Sequence, residues 1–349
     1  MIDSFKEDLN LILDHTTNCW NDFNNKTIFI SGGTGFFGIW MQMSFIFINR
    51  KLNLNSKIIL LTRSKEKFLN IYPWIEKYDE IVFVEGDITN FSFFDQKIDY
   101  IIHAATEASS KLNIEHPLVM FDTIVSGTKR MLEFAKIKNV KSFLFISSGA
   151  VYGKQPPEIE NISEDYTGAP LTIDAGSVYG EGKRMAEVLC AVYHKQFNLP
   201  IKIARCYAFI GPFLPLASHF AAGNFIKDVI ENRDIIIDGD GSPYRSYMYS
   251  ADLMIWLWNI FFTGNNNKPY NVGSPHSVSI SDLAEMIRKC GESDETKIII
   301  KKLYLGQPPQ RYVPCVDRIT EELKLKIYTD LETAIIKTIK FNKKNKLDI

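Results

Sequence analysis

The chain has 349 residues, 46% hydrophobic and 23% charged, enough to bury the core of one large globular domain or two smaller ones. Its formal net charge of −1 offers no field that would gather nucleic acid or anionic lipid, and no apolar run approaches the ~20 residues needed to span a bilayer. Five scattered cysteines without a C-x-x-C pair, and six histidines without an H-E-x-x-H spacing, give no reason to expect a disulfide framework or a metal site.

Residues 4–24 place Phe5, Leu9, Ile12, Leu13, Trp20 and Phe23 at roughly helical spacing, which predicts a helical extension over residues 1–26. Asp3, Glu7 and Asp8 stand where a signal peptide carries positive charge and then apolar residues, so a cytoplasmic location is expected. Lys26-Thr27-Ile28-Phe29-Ile30 then reads as a short buried strand, and residues 39–46 read as a helix. Between them lies Ser31-Gly32-Gly33-Thr34-Gly35-Phe36-Phe37-Gly38, which satisfies both G-x-G-x-x-G and G-x-x-G-x-x-G. A strand, a glycine turn and a helix N-terminus direct amide N–H groups and the helix dipole toward a pyrophosphate, so Gly32, Gly35, Phe36, Phe37 and Gly38 are candidate cofactor contacts.

Further apolar runs at 57–61, 81–84, 100–102, 142–146 and 201–204 suit strands covered on both faces, and amphipathic segments such as 125–138 lie between them. This alternation predicts a doubly wound parallel α/β domain over 27–205. The texture changes near Gly211-Pro212, with a loop and helix at 214–231, a strand at 235–237 and an apolar helix at 250–262. We expect 248–275 to return to the first domain, and 206–247 with 276–349 to form a smaller α/β substrate-binding region.

Tyr179-Gly180-Glu181-Gly182-Lys183 has the Tyr-x-x-x-Lys spacing, which puts both side chains on one helix face. An ammonium there stabilises a phenolate and lowers the tyrosine pKa toward neutrality. The pair lies between Ser147-Ser148, at the end of one predicted strand, and the strand at 201–204. Ligands of doubly wound sheets sit at such strand ends.

Gly32-x-x-Gly35-x-x-Gly38, His103-Ala104-Ala105, Ser147-Ser148-x-x-Val151-Tyr152-Gly153 and Tyr179-x-x-x-Lys183 occur in this order. Together with Arg205…Gly211-Pro212 and Arg245-Ser246-Tyr247…Ala251-Asp252-Leu253, they resemble the extended short-chain dehydrogenase/reductases, in particular the nucleotide-sugar epimerase/dehydratase branch. The resemblance spans roughly residues 27–335 and implies a Rossmann domain for a nicotinamide dinucleotide, with a C-terminal region for a nucleoside diphosphate sugar. It implies Tyr179 as general acid/base, Lys183 as the ribose contact that tunes it, and Ser148 as a hydrogen-bond partner of the same sugar oxygen. Asp87 and Ile88 would border the adenine. Ala104, Ala105, Thr106 and Ser147 would line the cofactor, and Glu107 and Ser109 would approach the sugar. Arg245 would pair with the diphosphate, where a guanidinium makes bidentate contacts, and Arg311 is a second candidate. Ala208, where relatives carry an asparagine, and Asn224 would also face the substrate.

Two departures from the family pattern sharpen the reaction. Sugar 4,6-dehydratases place Asp-Glu directly after the catalytic Ser/Thr, and glucuronate decarboxylases use an acid in the same segment; this chain has Gly149-Ala150. The second predicted strand ends Leu61-Thr62-Arg63-Ser64, without the carboxylate that would bind the ribose 2′-OH of NAD. Thr62, Arg63 and Ser64 are instead placed to receive the 2′-phosphate of NADP, the alternative being a merely solvated Arg63. These features favour an NADP(H)-dependent reductase of a nucleotide-linked 4-keto-6-deoxy sugar. The alternatives are a C4-epimerase with retained NAD(H), a 4,6-dehydratase with relocated acids, a reductase for a non-sugar carbonyl such as a thioester, and a non-catalytic dinucleotide-binding module. A homodimer through the segments 123–138 and 179–197 is expected by the same resemblance.

Overall fold

The apolar runs form strands β1 (Thr27–Ser31), β2 (Lys57–Thr62), β3 (Ile81–Glu85), β4 (Tyr100–His103), β5 (Ser142–Ser148) and β6 (Ile201–Cys206). The computed structural model describes residues 1–106, 110–216, 220–303 and 306–347. These divide into one unit of Met1–Gly153, Ala169–Arg205 and Met254–Tyr270, and a second of Lys154–Gly168, Cys206–Leu253 and Asn271–Ile349.

The seven-stranded sheet runs in the order Pro269–Val272, β6, β5, β4, β1, β2, β3. β1 pairs in parallel with β2 on one side, Ser31 opposite Leu61, and with β4 on the other, Ser31 opposite His103. Ile28, Ile30, Ile58, Leu60, Ile101 and Ile102 are fully buried, which is why these strands read as unbroken apolar runs. The strand order reverses between β1 and β4. In a doubly wound sheet this is where a crevice opens at the carboxyl ends of the strands.

The segment 4–24 is not one helix. A 3-10 turn (Ile2–Phe5), α1 (Lys6–Asp14) and a second 3-10 turn (Thr17–Trp20) share it. The hydroxyls of Thr16 and Thr17 donate to the carbonyls of Ile12 (2.7 Å) and Leu13 (2.9 Å), and the Trp20 indole donates to Thr16 Oγ1 (3.1 Å). These local bonds compete with the helix and end it. The extension covers the apolar outer side of α2 (Phe36–Lys51), where Phe5 meets Trp40 edge to face at 5.4 Å. A helix buried on nearly every side, as α2 is, needs such a cover.

In the second unit, Tyr244–Ser246 pairs antiparallel with Ser277–Ser279 and parallel with Arg311–Tyr312. Ile235–Ile237 pairs with Ile298–Ile300, and the helices Ala221–Ile230 and Ile280–Cys290 belong to the same unit. Among the described residues no helix is long and apolar enough to cross a membrane.

Candidate active site

The glycine turn joins β1 to α2 at the reversal point of the sheet. Gly32 has φ +74°, and a Cβ there would lie 2.4 Å from the Ala104 carbonyl carbon, so the turn rests directly on the loop after β4. A Cβ on Gly38 would lie 2.0 Å from the Gly33 carbonyl oxygen, so that glycine permits the helix to close on the turn. Gly35 differs: a Cβ there would meet only Gly32 O at 3.8 Å. Among the described residues no atom demands a glycine at 35, and the space in front of it fits the close approach of a pyrophosphate. Phe36 and Phe37, half-buried, begin α2 with their rings 5.8 Å apart.

Around this turn, Ala104, Ala105 and Thr106 follow β4 and are half-buried. Asp87 accepts from the Thr89 hydroxyl (2.6 Å) and amide (2.9 Å), bonds that hold its carboxyl below the usual range, with a smaller contribution from Arg63. Ile88 is buried against Gly127. At the end of β2, Thr62 is buried, Arg63 exposed, and Ser64 accepts from the Lys67 amide at 3.2 Å. The sequence reading missed Glu85, opposite Thr62 in the β2–β3 register, whose carboxylate accepts from the Lys65 amide at 2.8 Å. An acid therefore does stand near the end of β2, supplied by the neighbouring strand.

Tyr179 and Lys183 lie on the helix Val178–Phe197, one turn apart. The Lys183 ammonium, 3% exposed, donates to Thr106 Oγ1 and to the Ile146 carbonyl, each at 2.8 Å. It is thereby fixed against both β5 and the loop after β4. Tyr179 is half-buried, and its amide donates to Asn113 Oδ1 at 3.1 Å. His103, fully buried between Ser31 (2.7 Å) and Thr128 (3.0 Å), has its pKa pushed down to about 3 by burial and then by Lys183, so it is neutral and structural.

Ser147 and Ser148 point to different partners, as neighbours on a strand do. Ser148 ends β5 and its hydroxyl accepts from the Ala150 amide at 3.1 Å. Ser147 donates to Glu187 Oε1 at 2.5 Å. Glu187 also accepts from Arg205 (Nη2, 2.7 Å), whose Nη1 donates to the Tyr152 hydroxyl at 2.8 Å. Burial opposes the charge on Arg205, but the bonds and field of Glu187 outweigh it and raise its pKa. The turn Gly149–Tyr152 carries no carboxylate, and a Cβ on Gly180 would lie 2.8 Å from the Ala150 carbonyl oxygen. The tyrosine-bearing helix thus packs tightly on the turn that follows Ser148.

In the second unit, Arg245 is half-buried on Tyr244–Ser246, with Nη1 donating to the Tyr244 carbonyl at 2.8 Å. Burial pushes its pKa down, and no carboxylate among the described residues forms an ion pair with it. A half-buried guanidinium of this kind has the chemistry to pair with an anion. Arg311 is on the adjoining strand, stacked 4.5 Å over the Tyr244 ring. Ala208 accepts from the Met248 amide at 3.1 Å, and Asn224 is half-buried on the helix Ala221–Ile230. Glu107 and Ser109 lie outside the described residues.

The family model described as "NAD dependent epimerase/dehydratase family" matches residues 28–273. UDP-glucuronic acid decarboxylase 3 of Arabidopsis thaliana is 31% identical over 265 residues, covering 76% of this chain and 74% of the relative. UDP-glucuronic acid decarboxylase 1 of Xenopus tropicalis is 27% identical over 322 residues, covering 92% and 73%. Among solved structures, UDP-glucuronic acid 4-epimerase from Bacillus cereus superposes with a TM-score of 0.77 at 23% identity, covering 91% of this chain and 99% of that one. A dTDP-glucose 4,6-dehydratase from Streptomyces venezuelae gives 0.78 at 19% identity, covering 92% and 98%. A glycine turn at the reversal point of the sheet, a Tyr–Lys pair one helical turn apart and a match across most of the chain agree: the protein belongs to the NAD dependent epimerase/dehydratase family and is an oxidoreductase-type enzyme of that family.

Proposed function

We propose that the enzyme reduces the keto group of a nucleotide-linked 4-keto-6-deoxy sugar with NADPH. The observation that carries this reading is a Ser148/Tyr179/Lys183 set standing beside a turn, Gly149–Tyr152, that holds no acid. Elimination of water and decarboxylation in this family use a carboxylate there, whereas carbonyl reduction needs only a proton donor and a polarising partner. A reduced nicotinamide held by the glycine turn and Lys183 would supply the hydride to the carbonyl carbon. Tyr179 then delivers its phenolic proton to the sugar oxygen while Ser148 donates a hydrogen bond to that oxygen. Lys183 stabilises the phenolate left on Tyr179, and solvent restores the proton. Net, ketone, NADPH and one proton give alcohol and NADP⁺. Arg245 holds the substrate diphosphate. Arg245→Ala is expected to raise the KM for the nucleotide sugar ~10–100-fold, the range of a lost charge-assisted bond.

Arg63, exposed at the end of β2, supports NADP(H). Arg63→Ala should raise the KM for NADPH roughly tenfold, equivalent to ~1.4 kcal/mol, and leave the KM for NADH unchanged. Equal effects on both cofactors would count against a 2′-phosphate contact.

The second reading, a C4-epimerase that retains NAD, is favoured by Glu85 at the end of β3 and by the epimerases among the structural neighbours. One experiment separates the readings: mass spectrometry of co-purified ligands, followed by assay with a dTDP-, CDP- or GDP-linked 4-keto-6-deoxy sugar. Stoichiometric NADPH oxidation supports the reductase. Tightly bound NAD with interconversion of two sugars in the absence of added reductant overturns it.

The enzyme is further expected to form a homodimer. Ile137, Met185, Val188 and Val192, within the two segments expected to pair, are exposed. Light scattering at micromolar concentration should give twice the chain mass, and a monomer would refute the expectation.

A further inference from the structure

The side chain of Gln42 is fully buried in α2, one turn beyond the glycine loop. Its Nε2 donates to the carbonyl of Gly33 at 2.7 Å and to that of Gly38 at 3.2 Å. Only the NH₂ end can donate to a carbonyl, so the orientation of the carboxamide is dictated by chemistry. Its oxygen is buried with no hydrogen-bond partner among the described residues. A buried, half-satisfied amide is a net cost unless the contact it does make is needed.

What it contacts is the pivot of the turn. The Gly33 carbonyl oxygen is the atom that leaves no room for a Cβ at Gly38. The same oxygen belongs to the planar trans peptide that carries the Thr34 N–H, which points opposite to the carbonyl. Anchoring the carbonyl inward on Gln42 therefore turns the Thr34 N–H outward. That N–H donates to no backbone or side-chain acceptor among the described residues. The bond to Gly38 ties the same carboxamide to the first turn of α2, so one side chain links the loop to the helix N-terminus that would face a pyrophosphate.

We infer that Gln42 is a positioning residue for dinucleotide binding: it locks the Gly33 peptide so that the turn presents its amides to the cofactor before the cofactor arrives. The inference rests on assigning the glycine turn to a nicotinamide dinucleotide. It is independent of which sugar is turned over.

The test uses the full-length enzyme and direct binding of NADH and NADPH by fluorescence titration. Gln42→Met conserves length and apolar volume but removes the donor. It should weaken dinucleotide binding about tenfold, with the KM for the nucleotide sugar and kcat at saturating cofactor unchanged. Ser44→Ala, on the same buried helix but remote from the turn, controls for general loosening, since Ser44 bonds Trp40, Met41 and Trp258 instead. It should lower the melting temperature and leave dinucleotide affinity as in the wild type. Equal affinity losses in both variants, or none in Gln42→Met, would overturn the inference. Should Gln42→Met fail to fold, Gln42→Glu gives the same answer through pH. Its carboxyl donates only when protonated, so its NADH affinity relative to the wild type, measured at the same pH, should approach one at low pH and fall as pH rises. A flat profile for Gln42→Glu would count against the inference, and a wild type that binds no dinucleotide would overturn both it and the assignment of the turn.

Discussion

Tyr179→Phe should lower kcat by ~10²–10⁴-fold, the span associated with a single positioned proton donor. The change removes one oxygen and preserves the ring, which packs against the buried cluster beneath β5. The Lys183 ammonium keeps both of the anchors seen here, Thr106 Oγ1 and the Ile146 carbonyl. Dinucleotide affinity, sugar affinity and melting temperature are therefore expected to be unchanged. Steady-state turnover alone should collapse. A fall in kcat accompanied by an equal fall in cofactor affinity would mean that the phenol serves to bind and not to transfer a proton. Full activity would remove Tyr179 from the chemistry altogether.

The second large effect concerns stability. Glu187→Ala is expected to cost ~3–5 kcal/mol, because it leaves the largely buried Arg205 guanidinium without its carboxylate counter-charge. It also removes the acceptor of the Ser147 hydroxyl. A thermal midpoint on the order of 10 °C below the wild type is the expected reading. The double variant Glu187→Leu with Arg205→Met should recover much of the loss, since replacing both ions by apolar groups avoids the stranded charge. Its activity should nonetheless stay low, for Ser147, Tyr152 and Glu187 together connect the Ser148 turn to the helix that bears Lys183. If the double variant melts as low as the single one, the stranded-charge account is wrong.

How far the sequence could lead was set by the range of each interaction. The strands were readable because burial on both faces leaves them uninterrupted apolar runs, as at Ile58-Ile59-Leu60. The glycine turn and the Tyr179–Lys183 spacing were readable because both are local, with every partner inside a single turn of chain. Glu85 was not, since its relation to Thr62 exists only through the β2–β3 register, more than twenty residues apart in sequence. Glu187 stands one helical turn beyond Lys183, yet its partners Ser147 and Arg205 come from β5 and β6 and meet it only when the sheet closes. Gln42 carries no signal in the sequence beyond being one polar residue in an apolar helix. Its meaning lies in a carbonyl, and backbone atoms leave no trace in a side-chain alphabet. The helix expected ahead of β1 is present but stops at Asp14 for a related reason: Thr16 and Thr17 turn their hydroxyls back onto the backbone, and periodicity does not register that competition.

The aromatic extension that precedes β1 carries one more consequence. The family match begins at residue 28, but Trp20 is wedged among Phe23, Trp258 and Phe262 with ring centroids 5.3, 5.0 and 5.2 Å away. A chain started at the match would uncover Trp40 and Trp258 at once and present them to water as a sticky indole surface. For this protein, part of the cover over α2 lies ahead of the stretch that the family model matches, so a boundary drawn at residue 28 would cut through a packed aromatic cluster.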